Sequence, residues 1–118
     1  MLKTKAVERF IGQAVDNGVL GVILFNKEGQ MVAQSGQGFN AKVFAALTSS
    51  LWETFDRQGN RDRLKEIEVR GENSNILAAR VANMVIALIS EPNVPLAICK
   101  AKLNQLVSHL NEPLGVIS

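Results

Sequence analysis

Gly36-Gln37-Gly38 is the stretch whose residue types and spacing first suggest chemistry. A short apolar segment, Met31-Val32-Ala33, runs into these glycines and on into a helical pattern. Strand, G-x-G-x-x-A, helix is the loose form of a dinucleotide fingerprint, in which glycines let the backbone approach a pyrophosphate at a helix N-terminus. A true fingerprint follows the first strand of a βαβ unit. Here the preceding strand reads as the return arm of a hairpin, which belongs at a sheet edge, and no Walker-type lysine follows. Gly36 and Gly38 are therefore expected to turn the chain from strand into helix, and no cofactor is expected.

The other reactive residue types are scattered. Asp56-Arg57-Gln58-Gly59-Asn60-Arg61-Asp62 imitates the start of a calcium loop. An EF-hand begun at Asp56 needs glycine where Arg61 stands and glutamate where Ile67 stands, so this is expected to be a surface loop without metal. The single histidine, His109, falls on the last turn of a helix, where the backbone dipole favours a cation. The single cysteine, Cys99, falls on an apolar stripe with no histidine assigned to activate it. Ser35, Ser49, Ser50 and Ser74 lack a G-x-S-x-G context. No catalytic residue is assigned, and the chain is read as not an enzyme.

The elements that would position these residues follow from periodicity. Residues 4–17 read as a helix, with Val7, Phe10, Ile11, Ala14 and Val15 on one stripe and Asn17-Gly18 ending it. Val19–Phe25 is apolar on both alternations, a strand covered on both faces. After the turn at Asn26–Gly29, residues 30–34 return as its hairpin partner. Residues 41–56 form a second helix capped by Asn40, with Val43, Phe44, Leu47, Leu51 and Phe55 as the expected core face. Trp52 lies about 140° from Leu47. An indole there either lies flat on its own surface or under the following loop, or awaits a partner, since aromatic residues are enriched in interface cores.

Residues 65–70 alternate as a half-exposed strand, with Ile67 and Val69 on one side and Glu66, Glu68 and Arg70 on the other. The stretch 76–90, ILAARVANMVIALIS, fits a helix or a pair of strands turning at Ala82-Asn83 equally well by periodicity. Pro95 opens the last helix, whose stripe is Leu96, Cys99, Leu103, Leu106, Val107 and Leu110, with Pro113 expected just past its end.

Bulk properties narrow the function. The 118 residues are 47% hydrophobic and 20% charged, the range of one globular domain. A net charge of +2 without a basic cluster gives no claim on nucleic acid. The N-terminus has neither the apolar block of a signal peptide nor a glycine at position 2. No apolar run reaches bilayer length. The expectation is a cytosolic protein with no direct membrane insertion, held at any membrane by something else.

Four stretches together resemble one family: NGVLGVILFNKEGQMVAQSG (17–36), SSLWETFDRQGN (49–60), ARVANMVIALI (79–89) and KAKLNQLVSHLNEPL (100–114). With them the chain resembles the roadblock superfamily, and within it the roadblock subunits of Ragulator-type late endosomal and lysosomal adaptors. The connection after Asn60 is shorter than that family's usual one. The resemblance implies an α+β fold in the order αββαβββα, with a five-stranded antiparallel sheet, one helix on one face and two on the other. It makes 76–90 two strands. Family members pair through the edge of the third strand and the second helix. That implies a partner interface at Ala45, Thr48, Ser49, Trp52, Phe55, Glu66, Ile67, Glu68, Val69 and Arg70.

The partners implied are a second roadblock-domain subunit (a heterodimer, with a homodimer as the alternative), a lipidated anchoring subunit and Rag-type GTPases, in support of TOR and MAPK signalling at the cytoplasmic face of the late endosome or lysosome. Two other readings come from the same family. One is a GTPase-activating regulator of a Ras-like GTPase, for which Arg57, Arg61 and Arg63 are candidates. The other is a dynein-associated light chain, against which the closer Ragulator match argues.

Overall fold

A computed structural model describes residues 4–26, 28–57 and 66–117, and within these the side chains other than those of 55–57 and 111–117. The elements run α1 (Thr4–Ile11, continued by a 3-10 turn at Gly12–Ala14), β1 (Val19–Phe25), β2 (Met31–Gly36), α2 (Ala41–Arg57), β3 (Glu66–Arg70), β4 (Asn75–Val81), β5 (Met84–Ser90) and α3 (Leu96–Ile117). The strands form one antiparallel sheet in the order β2-β1-β5-β4-β3, so β2 and β3 are its edges.

Residues 76–90 are two strands. Val81 pairs with Met84 across a two-residue turn in which Ala82 takes a positive φ of 53°. The side chains of β4 and β5 feed both faces of the sheet, which is why their apolar run has no clean alternation. β1 behaves likewise: Val22 and Leu24 enter one core, Ile23 and Phe25 the other.

α1 and α3 cover one face through Val7, Ile11, Ala14, Cys99, Leu103, Leu106 and Leu110. α2 covers the opposite face, above Ile23, Phe25, Ile76, Val85 and Ile89. Lys102 of α3 clamps the end of the 3-10 turn. Its Nζ donates to the carbonyls of Ala14 (3.2 Å) and Asp16 (3.3 Å) and pairs with the Asp16 carboxylate.

The ends of elements follow the expected chemistry. Gly18 has φ +95° beyond the 3-10 turn. The Asn40 side chain accepts from the Val43 amide at 3.2 Å, capping α2. The Asn26 carboxamide oxygen accepts from Glu28 and Gln30 in the β1–β2 turn. The Pro95 carbonyl accepts the first bonds of α3, from Ile98 and Cys99. Some boundaries differ from expectation: the first helix, expected over 4–17, is α-helical only to Ile11 and closes with the 3-10 turn at Gly12–Ala14, and β2, expected over 30–34, runs Met31–Gly36. α3 runs past Pro113 to Ile117, since a proline removes one donor from the ladder without having to end the helix.

The opening glycines have a structural task. Gly21 and Gly36 face each other across the β1–β2 pair. Gly36 has φ +104°, and a Cβ there would strike the Leu20 carbonyl. A Cβ at Gly21 would run into the Phe39 ring, which lies over that strand on the way into α2. Close approach at Gly21 and close approach with left-handed backbone at Gly36 require glycine at these two positions.

Candidate partner interface

The inner face of α2 is narrow. Ala45 and Thr48 are buried, and Trp52 is 6% exposed, all against the sheet. The bulky residues of the sheet on that side leave room for small side chains and one flat ring. About half a helical turn away, Val43 is 57% and Leu47 45% exposed. This corrects the expected core face: Val43 and Leu47 point to solvent, and Phe44 and Leu51 flank the helix half-buried. Trp52, expected on its helix's outer flank, is instead buried against the sheet. The side of a helix that seats is decided by the sheet surface beneath it, so an apolar stripe on α2 does not by itself mark the buried side.

Trp52 lies over Arg80 of β4, with the guanidinium carbon 5.6 Å from the ring centroid. Among the described residues neither the Trp52 Nε1 nor the buried Thr48 Oγ1 has a hydrogen-bond partner. Ser49 is half-buried against the Gly29 turn. The Phe55 side chain lies outside the described residues.

β3 pairs on one side only, with β4, from Glu66 opposite Ala79 to Arg70 opposite Asn75. Ile67 is buried and Val69 half-buried beneath α2. The alternate side chains are charged and tied within the chain: Glu66 to Lys100 of α3 at 3.3 Å, and Glu68 to Arg70 at 2.7 Å. Charged side chains guard an edge against indiscriminate pairing while leaving its backbone groups open. Lys65, expected to begin this strand, lies outside the described residues.

No reacting group converges elsewhere in the described part. A cleft of about 240 Å³ opens between the end of β3 and the start of α3. Three of its polar residues are engaged locally: Arg70 with Glu68, and Asn75 with the Gly71 amide and the Pro92 carbonyl. No group of three His, Cys, Asp or Glu residues that could hold a metal occurs among the described residues. No helix there is long and apolar enough to cross a membrane. Cys99 is buried. His109 is exposed, with Nδ1 2.8 Å from the Gln105 carbonyl and its ring against Phe10. Arg61 and Arg63, and the side chain of Arg57, lie outside the described residues.

A five-stranded antiparallel sheet with α2 on one face and α1 and α3 on the other defines the class of fold, an α+β layer with β2 and β3 as its edges. The chain belongs to the Roadblock/LC7 domain family, whose model matches residues 12–90. A Caenorhabditis elegans protein, "Ragulator complex protein LAMTOR2 homolog", is 37% identical over 122 residues, covering 100% of this chain and 97% of that protein. Among solved structures, Myxococcus xanthus MglB matches with a TM-score of 0.85 at 13% identity, over 100% of this chain and 96% of that one. A Roadblock/LC7 domain from Streptomyces avermitilis matches with a TM-score of 0.77 at 16% identity, over 92% and 94%. Acanthamoeba castellanii profilin IA matches with a TM-score of 0.67 at 9% identity, over 90% and 97%. At such identities these structures speak for the fold alone.

Proposed function

We propose that this chain is a non-catalytic scaffold subunit of a Ragulator-type complex. It pairs with a second roadblock-domain subunit, is gathered to the cytoplasmic face of the late endosome or lysosome by a lipidated subunit, and helps hold Rag-type GTPases for TOR and MAPK signalling. The observation that carries the pairing is the exposure of Val43 and Leu47 on α2 in a molecule whose β3 edge is also unpaired. The Ragulator assignment is supported by the 37% identical relative that spans the full chain. The interface is centred on the outward face of α2, around Val43 and Leu47, and on the backbone of β3. Trp52, Ala45 and Thr48 support it from beneath, and Glu68 and Arg70 set its charge pattern.

Affinity capture of the tagged chain from native cells, with mass measurement of the intact complex, tests this. The expected result is a one-to-one roadblock pair within a larger assembly containing a lipidated protein. Recovery of this chain alone, or only with further copies of itself, would overturn it.

A further inference from the structure

We infer that α2 is a separately opening element: in the free chain it unseats from the sheet as a unit while the strands, α1 and α3 remain folded. The two faces of the sheet are covered unequally. On one, α1 and α3 insert Val7, Ile11, Leu103, Leu106 and Leu110, and Lys102 ties the helices together. On the other, the buried described residues of α2 are Ala45, Thr48 and Trp52, with Ala41 and Phe44 packed partly buried beside them. The aliphatic side chains of Val43 and Leu47 are not part of that core, being 57% and 45% exposed.

The seat also carries two liabilities on the same face, one helical turn apart. Thr48 Oγ1 and Trp52 Nε1 are buried, and among the described residues neither has a hydrogen-bond partner. Each loses its hydration on seating and recovers it when α2 lifts away, so both favour the open state. Few buried aliphatic contacts together with dehydrated polar groups are the physical marks of an element that opens below the global unfolding free energy. A partner covering Val43 and Leu47 would suppress the opening by mass action. That linkage rests on the proposed pairing; the opening itself does not.

The sole tryptophan, Trp52, lies in this element and reports on it directly. The test uses the full chain at a concentration where it is monomeric. Trp52 emission and site-resolved amide exchange are followed through a urea titration. The expected result is a red shift at lower urea than the loss of protection in β1 and β5, with α2 amides exchanging at least about tenfold faster than theirs. Thr48→Val removes one dehydrated hydroxyl and should slow α2 exchange by about fivefold or more, leaving β1 and β5 within about twofold. Trp52→Phe, read by exchange alone, serves if Thr48→Val does not fold. Coincident transitions with equal protection in α2 and the central strands would overturn the proposal. So would a variant that slows all amides alike, or leaves α2 unchanged.

Discussion

Ala82 holds a φ of 53° at the first position of the β4–β5 turn. A side chain there costs about 1–2 kcal/mol against the ordinary backbone region, and glycine would remove it at the expense of about 0.5–1 kcal/mol of unfolded-state entropy. Ala82→Gly should therefore raise stability by roughly 0.5 kcal/mol, read as a later midpoint in urea. Trp52 is the second informative residue. Trp52→Phe keeps a ring over the sheet and deletes the unpartnered N–H, so stability should change by less than about 1 kcal/mol. Trp52→Ala leaves a cavity beneath α2 and should cost roughly 3 kcal/mol in the free chain. Sequence alone marked Trp52 as exceptional on its helix but assigned it the wrong environment. A helical wheel orders side chains around an axis and carries no information on what lies beneath. Here β1, β4 and β5 supply the bulk, so the helix contributes its small residues.

At the scale of elements, those with one dominant periodicity were legible. The α1 stripe and the cap at Asn40 follow directly from residue types; β1 enters two cores like β4 and β5, and is legible because Gly18 and the Asn26–Gly29 turn bound its seven-residue apolar run. β4 and β5 are not, because side chains that enter two cores leave no alternation to read; the family resemblance supplied their division. Lys102 was unmarked, since nothing in a lone lysine on a helix tells that it will meet two carbonyls of another element. It is 21% exposed in its side chain, and its bonds to Ala14 and Asp16 hold α3 against the 3-10 turn. Lys102→Met should cost about 1 kcal/mol, a charge-assisted hydrogen bond discounted for solvent; differential scanning calorimetry is a sufficient readout. Gly36→Ala should be more severe, above about 1 kcal/mol, because the left-handed backbone and the Leu20 carbonyl both exclude a Cβ.

For the whole molecule, the outward face of α2 separates folding from association. Leu47→Asp should leave free-chain stability within about 0.5 kcal/mol and weaken partner binding by at least about 2 kcal/mol. Paired unfolding and titration measurements check both halves, and an unchanged affinity would move the interface elsewhere. The order of strands carries a further implication, for how the chain is made. β1 and β5 lie side by side at the centre of the sheet, with Phe25 opposite Val85. The two strands meet across about 60 residues, and closing that loop has to precede the joining of the β1–β2 hairpin to the β3–β4–β5 strands. During synthesis the β1–β2 hairpin emerges well before β5 and must wait, with the apolar run VLGVILF unpaired on its β5 side, until residue 90 has left the ribosome. The nascent chain thus passes through a stage at which its central strand is open to any passing strand, a stage that chaperones attend.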